Sequence, residues 1–142
     1  MRFMIIVKAS AASEAGVMPT EAKLKEMGDF HEELARAGVL IDGSGLRATA
    51  LGWRVHYDGA TRTVVDGPFV ETKELIAGYT LIRTNSREEA IEWSRRFPNP
   101  NLDDSPCHIE VRQMFELEDF EPSPTLGQFR AIGMGGETGA TP

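Results

Sequence analysis

Residues 76–98 read IAGYTLIRTNSREEAIEWSRRFP. Ile76–Arg83 is rich in β-branched and aromatic side chains and is predicted to be a strand. Ser86-Arg87-Glu88-Glu89 has the spacing of a capping box. The Ser86 hydroxyl can take an otherwise unpaired amide of the first helical turn, and Glu89, three residues on, can return the bond. Ala90, Trp93 and Phe97 then recur at helical spacing and make one apolar stripe. Pro98 has no amide N–H to continue the helix and stops it.

The same order is found upstream. Phe3–Val7 is apolar on both faces, as a central, doubly covered strand should be. Ala9–Met18 is small and polar, a loop. Pro19-Thr20-Glu21 opens a helix, with proline in the first turn and an acid near the positive end of the dipole. Leu24, Met27, Phe30 (or His31) and Leu34 fall on one helical face, and Gly38 supplies a left-handed stop. Val39–Ile41 reads as a second strand, broken by Gly43-Ser44-Gly45. Between the two halves Trp53–Tyr57 alternates, with Trp53, Val55 and Tyr57 on one face and Arg54 and His56 on the other. Asp58-Gly59 is a hairpin turn signal, and Thr61–Val65 pairs back. Asp66-Gly67-Pro68-Phe69 ends that strand, since Pro68 cannot donate to a ladder. Cys107–Phe115 is the last strand. Cys107, Ile109, Val111 and Phe115 lie on one face, and His108, Glu110, Arg112 and Met114 on the other. β–α–β, a hairpin, then β–α–β predicts two helices on one face of a mostly antiparallel sheet, a ferredoxin-like α+β layer over residues 1–116. From Leu117 onward prolines and glycines replace the periodic pattern. Residues 117–142 are expected to be a partly ordered tail, with Leu126, Phe129 and Ile132 as its docking anchors.

Composition narrows the function. At about 150 residues per domain, 142 residues make one domain. Fifteen Lys and Arg against 22 Asp and Glu leave a formal charge of −7. That argues against a nucleic-acid partner and against adsorption to an anionic membrane, but leaves room for a small basic pocket. Cys107 is the sole cysteine, so no internal disulfide and no thiolate metal site can form, and a reducing, cytoplasmic setting fits. The apolar run Phe3–Val7 is too short for a signal-peptide core or a membrane span. There is no GxGxxG, GxxxxGK[ST] or GxSxG, and no HxH or HxxxH pair, so neither a cofactor nor a metal is expected. The apolar surface of Phe3, Trp53, Val55, Tyr57 and Tyr79 exceeds what one helix layer hides. Such a patch marks self-association or a ligand cleft. It predicts a homodimer whose sheets meet face to face, with a polar and aromatic pocket near the join.

Residues 66–74, DGPFVETKE, resemble the signature of the DGPFAETKE family, a branch of the YciI-related (YCII) proteins. Phe30–Leu46 (FHEELARAGVLIDGSGL) resembles that family's first helix and second strand, and Gly78-Tyr79 its GGY. Ser86–Pro98 resembles its second helix, and Glu110-Val111-Arg112 its final EVRP. Val70, Ala77 and Gln113 depart from the pattern, and the resemblance spans residues 2–115. It implies a ferredoxin-like, dimeric α+β barrel carrying an extra β-hairpin. Most relatives are uncharacterised. Some of the wider group resemble small-molecule lyases or dehalogenating enzymes that use a His/Asp pair, and others resemble products found beside extracytoplasmic-function sigma factors. The helix histidine of the YciI branch falls near Met27 here, with His31 one turn on.

Asp66 is the first candidate for chemistry. It follows a strand at a turn where Gly67 permits close backbone approach and Pro68 stiffens the loop, and rigid placement is what a general acid or base needs. Alternatively it caps its own turn. Glu71, Lys73 and Glu74 either hold an anionic ligand or form a solvated loop with weak ion pairs. His31, beside the buried helical stripe, is a second catalytic candidate or a satisfied core histidine; His56 and His108 are open to the same two readings. Arg112 can grip a carboxylate with two parallel bonds, and Tyr79 can offer its hydroxyl to the same cleft or simply pack. Two functions follow. One is a small-molecule pocket with proton-transfer chemistry of the lyase or isomerase kind on an anionic or phenolic ligand. The other is a non-catalytic binding or regulatory module, linked to sigma-factor signalling.

Overall fold

The computed structural model describes residues 1–71 and 73–136. Its strands are β1 (Arg2–Lys8), β2 (Leu40–Gly45), β3 (Trp53–Asp58), β4 (Thr61–Asp66), β5 (Ile76–Arg83) and β6 (Ile109–Gln113). Its helices are α1 (Ala11–Glu14), α2 (Glu21–Arg36), α3 (Arg87–Arg95) and α4 (Pro124–Ala131). Four strands form one sheet in the order β2-β5-β1-β6, every neighbouring pair antiparallel, and β3 and β4 form a separate two-stranded sheet. The protein is therefore α+β with antiparallel sheets, and neither sheet closes on itself.

Both long helices cover the same face of the four-stranded sheet. Phe3 and Ile5 of β1, Ile82 of β5 and Val39 pack against Phe30 and Leu34 of α2 and Ala90 of α3, with Trp93, Phe97, Ile109 and Val111 around them. The Phe30 ring meets Phe97 edge-on at 5.4 Å between centroids. Side chains alternate along a strand. Met4, Ile6, Tyr79, Leu81, Glu110 and Arg112 therefore point to the other face, which no helix in the core cluster covers.

Local chemistry explains the ends of these elements. α2 closes as a Schellman motif. Gly38 takes φ +72°, its N–H donates to the Ala35 carbonyl (3.0 Å), and the Val39 N–H donates to the Leu34 carbonyl (2.9 Å). At α3 the Glu89 N–H donates to Ser86 Oγ (3.1 Å), as the capping box requires. Glu89 itself accepts from the Asn85 amide (2.8 Å), one residue earlier than the reciprocal bond expected. The hairpin pairs Asp58 with Thr61. Gly59 is the first residue of its loop and takes φ +58°.

Several local expectations are corrected. β2 does not break at Gly43-Ser44-Gly45 but includes them, paired with Thr80, Tyr79 and Gly78. The register instead shifts between Leu40 and Asp42. Pro19 lies before α2, whose N-cap is Thr20, and Leu24 is exposed because α2 reaches the sheet only from Phe30 onward. Ala9–Met18 contains the short helix α1, capped by a reciprocal Ser10–Ser13 pair that a reading of the segment as loop passes over. Cys107 lies outside β6, exposed, with its Sγ 3.2 Å from Asn99 Oδ1 rather than in the core.

The segment after β6 returns to the sheet. Arg2 Nε donates to both Glu116 carboxylate oxygens (3.0 and 3.1 Å) and Arg2 Nη2 donates to the Phe115 carbonyl (3.0 Å). Leu117 is buried, and Arg83 donates to the Gly136 carbonyl. Arg2 and Arg83 both belong to the helix-free face, so this segment covers one end of it. Of the expected anchors, Leu126 is half-buried, whereas Phe129 and Ile132 are exposed. Residues 137–142 of the tail lie outside the described residues.

Candidate functional site

The loop that follows β4 is held from two sides. Glu14, at the end of α1, accepts from the Thr49 amide (3.1 Å) and from Thr49 Oγ1 (2.5 Å). Thr49 Oγ1 in turn accepts from the Phe69 amide (3.1 Å). The Gly67 amide donates to the Gly52 carbonyl (2.9 Å). A Cβ on Gly67 would stand 1.8 Å from the Thr49 carbonyl oxygen, so only glycine lets the two backbones meet. From the other side the Arg54 guanidinium lies 3.8 Å over the Phe69 ring and 3.6 Å from Glu71. At that distance and exposure Arg54 and Glu71 form a weak surface ion pair, to which the cation–π contact adds. The result is a fixed turn immediately after Asp66.

Asp66 pairs with Trp53 across the hairpin, so the two side chains share a face. Its carboxylate is exposed and has no hydrogen-bond or ion-pair partner among the described residues. Cross-strand pairing also puts Val55 with Val64, and Tyr57 with Arg62, on that same face. All twelve positions of β3 and β4 are exposed, with Trp53 at 63%, Tyr57 at 66% and Val64 at 64% of full accessibility.

The other candidates lie elsewhere. Glu71 is in the clamped loop, and Lys73 just beyond it is exposed with no ion pair among the described residues. Tyr79 and Arg112 lie on the helix-free face two strands apart. The Tyr79 hydroxyl donates to Asp42 Oδ2 (3.2 Å). Among the described residues Arg112 has only Glu110, at 3.9 Å, and its side chain is 72% exposed. His31 is on the opposite, helix-covered side. Its Nδ1 faces the Met27 carbonyl (2.8 Å), which can only accept, so Nδ1 carries the proton. In the neutral ring Nε2 then accepts from the Thr80 hydroxyl (2.8 Å), and Thr80 is buried. His31 thus ties α2 to β5. One chain therefore places the six predicted residues in three separate regions.

Two concavities near the helices do not gather them either. One of about 410 Å³ lies between the helices, lined by Glu26, Asp29, Phe30, Glu33, Arg96 and Pro98. Another of about 120 Å³ lies beneath α3, lined by Phe3, Arg87, Ala90, Ile91, Ser94 and Val111. Neither touches Asp66, Glu71, Lys73, Tyr79 or Arg112. Among the described residues no three His, Cys, Asp or Glu side chains gather as a metal-binding group, and no helix is long and apolar enough to cross a membrane.

The profile of the YCII-related domain family matches residues 1–117, which takes in all six strands and the clamped loop. The chain belongs to the YCII-related domain family. An uncharacterised protein of Rhizobium meliloti (strain 1021) is 30% identical over 81 residues, covering 57% of this chain and 65% of that protein. The match thus spans just under two thirds of the relative's length. In this YCII-related chain, sequence reading finds the turn but not what fastens it. Glu14, Thr49 and Arg54 are far from Asp66 in the chain and form no motif. The one available signal is Glu14 itself, the sole charged residue of the segment Ala9–Met18.

The Tyr79 phenol offers a direct probe of the helix-free face. The Asp42 carboxylate beside it, by its charge first and then by the hydrogen bond, holds the phenol above its ordinary value of 10.0. A raised value means that the neutral phenol's contribution to stability is complete below pH 10 and is lost as pH rises through the folded value. Absorbance titration at 295 nm of a Tyr57→Phe protein, which leaves one tyrosine, should show a midpoint above 10. Adding Asp42→Asn should bring that midpoint down toward 10; an unchanged midpoint contradicts the contact.

Proposed function

We propose that this protein binds a small anionic or phenolic molecule in a crevice completed by a second copy of the chain, and moves a proton on it. In this reading the four-stranded layer is ferredoxin-like. The helix-free faces of two copies turn toward each other as a dimeric α+β barrel, and the β3–β4 hairpin is the extra element. Asp66 is the acid/base. Its carboxylate takes a proton from the ligand and returns it to another atom, as in an isomerisation, or proton loss accompanies departure of a leaving anion, as in an elimination. Arg112 and Lys73 hold the ligand's negative charge, while Tyr79 and Glu71 orient it. His31 acts as a positioning residue, fastening β5 from behind. The observation that carries this reading is the placement of Asp66. It is a carboxylate with no partner among the described residues, on an exposed apolar hairpin face, fixed at its base by a loop in which glycine has no room for a Cβ.

Thermal-shift screening against small carboxylates and phenols tests it. A ligand at a hundred times its Kd should stabilise the protein by about 2.7 kcal/mol, roughly 9 °C for a chain of this size. Asp66→Asn should abolish most of that shift. An equal shift in Asp66→Asn, or no shift from any compound of either class, contradicts the proposal. A non-catalytic module would bind without turning any ligand over.

A further inference from the structure

We infer that the β3–β4 hairpin is an arm that closes on a second copy of the chain, its Trp53 face laid along the β6 side of the partner's helix-free sheet face, so that Asp66 of one protomer shares a crevice with the partner's Arg112. This deepens the proposed function and rests on its second copy; what it adds is which segment seals the site and which side chain the partner contributes.

The hairpin is the starting point. An isolated two-stranded hairpin is marginal in water, and an uncovered apolar face on one invites association. Here both strands are exposed throughout, yet one face carries Trp53, Val55, Tyr57 and Val64. No described segment of the chain covers it.

The chain also carries a second apolar surface that no helix covers, the middle of the helix-free sheet face, where half-buried Met4, Tyr79 and Leu81 surround buried Ile6 and are flanked by Asp42 on one side and Glu110 and Arg112 on the other. The exposed hairpin face and this half-buried sheet face are both covered by a single two-fold operation, which closes. Topology then chooses the side. The arm follows β2, one edge of the sheet, and β6 is the other edge. A two-fold axis along the strands sets the β2 edge of each copy over the β6 edge of the other.

Charge and area agree with this. Asp66 is a carboxylate with no partner among the described residues, and Arg112 is largely exposed with only a 3.9 Å contact to Glu110. The arm's four apolar side chains offer on the order of 400 Å² per copy, about half of what each partner gives to a standard interface; the facing sheets supply the remainder.

The test uses Trp53 as a reporter in the full chain. In a Trp93→Phe protein Trp53 is the only indole. Where sedimentation reports a dimer, its emission should be blue-shifted and shielded from acrylamide, and dilution to monomer should red-shift it and raise quenching several-fold. If Trp93→Phe does not fold, the difference between wild type and Trp53→Phe gives the same reading. Trp53→Ser should weaken dimerisation at least tenfold. Asp66→Arg and Arg112→Glu should each weaken it, and the double variant should recover it. A dimer whose Trp53 is fully quenchable, or a double variant no better than the singles, overturns the arm while leaving the second copy standing. A monomer at every concentration overturns both.

Discussion

Gly67→Ala should destabilise the protein by about 3 kcal/mol, lowering the thermal midpoint by roughly 10 °C. The added Cβ would stand 1.8 Å from the Thr49 carbonyl oxygen and 2.6 Å from its carbon. Both are backbone atoms, so no side chain can turn aside. Either the loop lifts off the Thr49–Leu51 turn or that turn moves, and in both cases the bond from the Phe69 amide to Thr49 Oγ1 is lost. The Phe69 amide should then exchange with solvent far faster than in the parent protein. Gly28→Ala makes the opposing control. Gly28 lies in α2, and a Cβ added there would meet nothing within 4 Å. Exchanging glycine for alanine inside a helix should stabilise by about 0.5–1 kcal/mol. A Gly67→Ala protein as stable as the parent contradicts the close approach.

Ile82→Ala should cost about 3–4 kcal/mol, read by urea unfolding as a lower midpoint with an unchanged slope. Ile82 is fully buried at the centre of the core and pairs with Phe3 on one side and Leu40 on the other. Truncation removes the side chain's transfer energy and leaves a cavity between α2 and the sheet that surrounding residues can only partly fill. The same strand carries Thr80, the partner of His31, and Tyr79 on the opposite face. Loss of Ile82 should therefore loosen both faces together. A cost below about 1 kcal/mol contradicts the description of this core as tightly packed.

Much of this architecture is legible in the residues themselves. The hairpin can be read to within a residue because Trp53–Tyr57 alternates strictly and Asp58-Gly59 marks the turn. The end of α2 is legible because Gly38 alone can supply the left-handed residue a Schellman stop needs. Other features are not, for identifiable reasons. Gly43-Ser44-Gly45 looks like a break because glycine has no strand preference. It is accommodated because β5 pairs with all three residues, through Thr80, Tyr79 and Gly78, and so holds them in the sheet against their own weak preference. Leu24 sits at core spacing, yet periodicity cannot say at which turn a helix leaves the sheet. Cys107 falls on an apolar row that extends further than β6 does.

The candidate site is legible only in part. Asp66 and Gly67 announce themselves as a turn with a carboxylate at its edge. The fastening by Glu14 and Thr49 depends on contacts between residues 35 apart in sequence, which no local pattern encodes. The division of the predicted residues among three regions has the same origin, since it follows from strand order and from which face each side chain takes.

Sedimentation equilibrium of the full chain at micromolar concentration tests the central claim most directly, because the crevice around Asp66 requires two protomers. The account predicts a single species of twice the 15.6 kDa chain mass. A species of one chain mass throughout, with Asp66 left facing bulk water, would contradict it.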